Sequence, residues 1–196
     1  MTFLKIILIL KEKAGKYIDF LNANAYDKER DVRTNIAGEF QKSNLAAALQ
    51  TAELICGRLD EDKIYEALSQ IRISGRMEEI APGIIVDVSH NIQGMQGFVQ
   101  TMEANYHGMK KRILFAASHQ NEEEYMKNIL KTIPEIEAFY TVGIHKRRIN
   151  EAEFQDAFRK MIDRNQETTV CFVVGSFYLA GMAKEFINQE EENVRL

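Results

Sequence analysis

Residues Gly83 to Met95 read GIIVDVSHNIQGM, and this stretch decides the fold. A short apolar run, GIIVD, ends in Asp87, Ser89, His90 and Asn91. A helical pattern then begins, extending over about 92–106 with Met95, Phe98, Val99 and Met102 on one face. An apolar run that breaks into hydrogen-bonding residues and then into a 3.6-residue period predicts a buried strand running into a helix. The same alternation recurs three more times downstream. RILFAAS (112–118) is followed by a helix near 121–132, and EAFYTVG (137–143) by one from about Asn150 to Asp163. TTVCFVVGS (168–176) is followed by a helix near 177–188. Continuous apolar strands are expected where both sheet faces are covered. Strands alternating with helices of this length imply right-handed βαβ units and a mostly parallel sheet, so the fold class is α/β. The tail NQEEENVRL is polar and expected to fray.

Upstream the pattern changes. Residues 1–40 are mixed, with short strands expected. From Ser43, placed to cap a helix, Leu45, Ala48, Leu49, Ala52 and Ile55 recur at helical spacing and Gly57 stops the run. Asp60 can cap a second helix with Ile64, Ala67, Leu68 and Ile71 on its inner face, making a helical hairpin.

The 196 residues, 45% hydrophobic and 28% charged, suit a chain with a sizeable core. A net charge of −4 provides no basic field for nucleic acid or an anionic membrane. The most apolar run, FLKIILIL (Phe3 to Leu10), is too short to span a bilayer and has no cleavage site of the secretory kind after it. A cytoplasmic location is the expectation. Cys56 and Cys171 lie in no CxxC pattern and are expected to be free, buried thiols, and the four histidines lack zinc-ligand spacing.

In an open parallel sheet, ligands bind outside the carboxyl ends of the strands. All four strand–helix junctions are expected on that edge. The first carries Asp87, Ser89, His90 and Asn91, the second Ser118, His119 and Gln120, the third His145 to Arg148, and the fourth Gly175 and Ser176. Free N–H groups at helix starts suit anions, and a strand-end carboxylate such as Asp87 suits ribose hydroxyls. Capping of the following helix by Asp87 or Asn91 is the commoner use of such residues, and both readings stay open on this junction alone. Gly94 and Gly97 read as close-packing positions. His145 to Arg148 reads as a solvated loop, with phosphate contact the alternative. No nucleophile relay is present. The single Gly15-Lys16 pair has Leu10 and Tyr17 where a phosphate-binding loop requires glycine and Ser or Thr.

The segment SGRMEEIAPGIIVDVSHNIQGM resembles the P-G-R-x-E and D-x-A-H-N-P motifs of folylpolyglutamate synthases and dihydrofolate synthases, members of the Mur ligase superfamily. IAGEFQKSNLAAALQTAELI resembles the segment that ends their central ATPase domain, and VVGSFYLAGMAKEFI their closing G-S-x-Y-L-x-G segment. The three run in family order from about 36 to 187. The resemblance implies that residues 1–72 are a remnant of the central ATPase domain. It implies that residues 73–196 are the Rossmann-like Mur ligase C-terminal domain. It also implies an ATP-dependent ligase that adds glutamate to folate through an acyl phosphate. Carried over by position, Asn44, Arg76, Asp87 and His90 correspond to nucleotide contacts, and His90 and Ser176 to the ligase site and its glutamate.

Departures from the motifs are Ser74 for proline, Ser89 for alanine, Ile92 for proline, and SHQNEEE for an acidic D-K-D-like segment. In the family, the phosphate-gripping loop, the magnesium ligands and a modified lysine lie N-terminal to the part matched here. ATP, with its magnesium held mainly by that part, is therefore the implied cofactor, and the chain is expected to be inactive alone. The alternative is a non-catalytic binding or interaction module, a pseudoenzyme or gene relic that retains the fold. The apolar N-terminal run suggests a partner chain or self-association.

Overall fold

The computed structural model describes residues 44–45, 47–49, 51–52, 55, 60–71, 73–146, 148–162 and 168–194. The expectations for residues 1–43, Cys56 and Gly57 lie outside them. The chain divides into two compact units between Ile71 and Arg72.

In the first unit, helix α1 (Glu61–Gln70) starts where Asp60 accepts the Lys63 N–H at 3.4 Å. Its Leu68 and Ile64 pack with Leu45 and Leu49 of a helical stretch. Ala67 and Ile71, expected on the inner face, are exposed.

The second unit comprises β1 (Glu78–Ala81), β2 (Ile84–Asp87), α2 (Ile92–Asn105), β3 (Lys110–Phe115), a 3-10 turn at Gln120–Glu122, α3 (Glu123–Leu130) and β4 (Ile136–Thr141). The hairpin β5 (Ile144–His145) and β6 (Arg148–Ile149) follows, then α4 (Glu151–Ile162), β7 (Thr169–Val174) and α5 (Phe177–Val194). The main sheet has the order β1-β2-β7-β3-β4. Strands β2, β7, β3 and β4 are parallel, and β1 is antiparallel on β2.

Side chains alternate across each strand, so each strand feeds both faces. Cys171 and Val173 of β7 face α4 and α5, packing with Ile84, Val86, Leu114, Phe158 and Ala183. Val170, Phe172 and Val174 face α2 and α3, packing with Ile113, Phe98, Met102 and Met126. Phe98 and Tyr106 meet the Phe172 ring edge-on at 5.8 and 5.1 Å. Each such fully buried side chain contributes about 1.5–3 kcal/mol. With helices on both faces, the apolar runs of the central strands β2, β7 and β3 are continuous because their side chains are buried on both sides.

Several boundaries differ from the sequence reading. β3 begins at Lys110, not Arg112, and includes two buried cations. The Lys111 ammonium donates to the Met109 carbonyl at 2.8 Å and to Glu135 Oε2 at 2.9 Å. Arg112 donates to Glu137 at 2.8 Å and to the Met161 carbonyl at 3.1 Å. Hydrogen bonds from Lys111 and Arg112 hold the Glu135 and Glu137 carboxyls below the usual range. Partners on β4 and just before it thus let charged residues into the start of this strand. β1 was not expected at all; it folds onto β2 through Pro82–Gly83, where Gly83 has φ +71°. The His145–Arg148 stretch is solvated as expected, His145, Lys146 and Arg148 being exposed, and it joins the two short strands of a hairpin. Helix α5 continues through the acidic tail to Val194, where fraying was expected. Cys171 is buried with its Sγ donating to the Met161 carbonyl at 3.4 Å, and burial pushes its thiol up to about 11.

Candidate functional site

The carboxyl end of β2 is built from two loops fastened together. Asp87 is buried, and its carboxylate accepts two backbone amides: Ser89 N–H at 2.8 Å and Met77 N–H at 3.0 Å. Val88 N–H donates to the Gly75 carbonyl at 2.8 Å. Gly75 (φ +73°) and Met77 (φ +45°) are both left-handed. A Cβ on Gly75 would stand 2.6 Å from Val88 Cγ1, so the approach needs glycine. These contacts bracket Arg76, whose half-buried side chain makes no hydrogen bond or ion pair among the described residues.

His90 leaves the same strand end. Its Nδ1 lies 2.9 Å from the Val88 carbonyl. A carbonyl only accepts, so Nδ1 carries the proton and Nε2 is the nitrogen left for a ligand. The ring lies 5.5 Å from Phe177, the first residue of α5, and 6.2 Å from His119, which follows β3. Three neighbouring strand ends, those of β2, β7 and β3, therefore meet at His90. The helix after β7 packs on the face opposite to those after β2 and β3. Such a reversal opens a crevice at the carboxyl edge.

The fourth junction is tight. Gly175 has φ +108°, and Ser176 is buried with its Oγ accepting the Tyr178 N–H at 3.0 Å, as a helix cap. Phe177 and Tyr178 stay 59% and 42% exposed. A cleft of about 370 Å³ lies beside them, bounded by Ser118, His119, Asn121, Lys146 and Tyr178.

A search of the curated proteins finds the dihydrofolate synthase/folylpolyglutamate synthase of Bacillus subtilis, 24% identical over 109 residues, covering 53% of this chain and 25% of the relative. This chain is related to the folylpolyglutamate synthases. Among solved structures, an FPGS bound to AMPPCP and folate superposes with TM-score 0.64 at 20% identity, over 79% of this chain and 38% of that one. E. coli FolC with DHPP and ADP gives TM-score 0.71 at 16% identity, over 83% and 42%. No family model matches. The fold shared with these structures is the mostly parallel α/β arrangement described above.

In this chain Arg76, Asp87 and His90 are drawn from two loops to one strand end. Ser176 ends the adjacent strand. Asn44 is an exposed helical residue of the first unit. Asp87, Asn91 and Ser176 all have a local structural use; Asn91 Oδ1 caps α2 by accepting Gly94 N–H at 2.7 Å. Gly94 lies against Ser89 and Asn91, not the sheet. The aromatic wall of Phe177 and Tyr178 was missed. Its sequence signal is FY directly after Gly-Ser, two large rings at a helix start. The described residues contain no group of three or more His, Cys, Asp or Glu that could hold a metal ion. No helix among them is long and apolar enough to cross a membrane.

Ser89, where the resemblance has alanine, is buried with an Oγ that lacks a hydrogen-bond partner. Deleting an orphaned buried hydroxyl removes a desolvation penalty. Ser89→Ala is therefore expected to raise stability by up to about 1 kcal/mol, read as a higher urea midpoint with unchanged slope; a lower midpoint would reveal an unseen partner for the hydroxyl.

Proposed function

We propose that this chain is the C-terminal portion of an ATP-dependent ligase of the folylpolyglutamate synthase kind, adding glutamate to folate. In this reading residues 73–196 provide one wall of the nucleotide and glutamate site, and residues 1–72 derive from the central ATPase domain. The observation that carries it is the Arg76 loop fastened to the end of β2 beside His90. The backbone that carries the Arg76 guanidinium and the one that carries the His90 imidazole are thereby held at the same strand end. Arg76 neutralises phosphate charge, His90 contacts the sugar or a phosphate oxygen, and Phe177 covers the imidazole. The fold neighbours that hold AMPPCP with folate, or ADP with DHPP, support a nucleotide as the ligand class. The sequence contains no phosphate-cradling G-x-x-x-x-G-K-[ST] loop. The phosphates are then gripped by another polypeptide segment, and the chain alone does not elongate folates.

ADP titrated calorimetrically into the chain tests this. Measurable binding is expected, and Arg76→Gln should weaken it about 10–100-fold, the worth of one charge-assisted contact. Because Arg76 has no protein partner among the described residues, the urea midpoint should hold. Absence of heat at millimolar ADP defeats the proposal. It would favour a second reading, a non-catalytic interaction module, which gains support from Asp87: two backbone amides already account for its carboxylate.

A further inference from the structure

We infer that Lys184, on the third turn of α5, is the positioning residue for Arg76. Its ammonium donates to Ser74 Oγ at 2.6 Å and to Glu78 Oε1 at 2.7 Å, with Oε2 at 2.6 Å. Glu78 Oε2 in turn accepts the Gly75 N–H at 2.6 Å. One helix side chain thus reaches across 110 and 106 residues of sequence to both sides of the Arg76 turn. The turn needs such support. With left-handed backbone at Gly75 and Met77, its conformation is not one that a free chain prefers, and contacts elsewhere must impose it. Asp87 and Val88 fasten the inner side of the turn to β2, and the Lys184–Ser74–Glu78 network fastens the outer side to α5.

Partial burial pushes the Glu78 carboxyl up, but the hydrogen bonds from Lys184 and the Gly75 amide outweigh it, leaving its pKa below the usual value. The depressed pKa means that the network is intact at neutral pH and is lost only as the pH falls through that pKa.

The inference rests on the nucleotide reading for its functional meaning but is tested apart from it. Trypsin cleaves after Arg76, so limited digestion of the native chain, followed by mass spectrometry of the fragment starting at Met77, reports the order of the turn. Lys184→Met should speed this cleavage about tenfold and weaken ADP by a similar factor, while cleavage after Arg159 holds steady. Lys184→Arg, which keeps charge and donors, should restore both. If Lys184→Met fails to fold, Glu78→Gln removes the same ion pair and serves instead. Unchanged cleavage at Arg76 overturns the inference, whatever the nucleotide result. If the parent chain binds no ADP, the proposed function fails, and the digestion alone decides the role of Lys184.

Discussion

Gly175→Ala is expected to destabilise the α/β unit by about 3–5 kcal/mol, combining backbone strain with a steric overlap that cannot be relieved by rotating a side chain. A Cβ at this position would lie 2.6 Å from the Ala116 carbonyl oxygen and 2.7 Å from the Phe115 ring, at a φ of +108° that L residues rarely adopt. Ala116 cannot simply retreat. Its own N–H donates to the Val174 carbonyl at 3.2 Å, so movement there loosens β3 from β7. Gly181, with nothing within 4 Å of its would-be Cβ in the middle of α5, is the internal control. Alanine there should stabilise by up to about 1 kcal/mol. Urea unfolding of both variants separates the two cases; equal midpoints would mean that the β7–α5 turn is looser than described.

Asp87→Ala should cost about 2–4 kcal/mol, because two amide donors lose their acceptor together and one of them, on Ser89, is buried. It should also weaken ADP, since Met77 N–H would no longer hold the turn that carries Arg76. The stability loss distinguishes this variant from Arg76→Gln, which should lose affinity without losing stability. Asp87→Asn should be intermediate: one oxygen still accepts, while the amide nitrogen faces an N–H that it cannot satisfy. An Asp87→Ala protein as stable as the parent, yet unable to bind ADP, would instead assign the carboxylate to the ligand.

Much of this was legible in the sequence because period and position carried it. The four βα alternations, the helix face of Met95, Phe98 and Met102, and the gathering of polar residues at strand ends follow from side-chain alternation and from covered sheet faces. Three features did not. The antiparallel strand Glu78–Ala81 is too polar for the apolar-run criterion, although the Pro82-Gly83 turn beside it was a usable signal. Lys110 and Lys111 hid the true start of β3, because their partners Glu137 and Glu135 lie some 25 residues away and only tertiary pairing brings them near. The wall of Phe177 and Tyr178 was not singled out, since sequence alone does not say which face of the first turn meets solvent. At the site, residue types indicated where to look but not how they are used. That Asp87 serves the backbone, and that Lys184 supports Arg76 from another element, are facts of three dimensions.

The strand order has one more consequence. β7 is the last strand in the chain, yet it sits between β2 and β3, which do not pair with each other. During synthesis the earlier strands emerge first but lack the element that joins them. Until Thr169–Val174 has left the ribosome, the edges of β2 and β3 that pair with β7 keep their backbone N–H and C=O groups unpaired. Completion of the sheet therefore waits on the βα segment of β7 and α5.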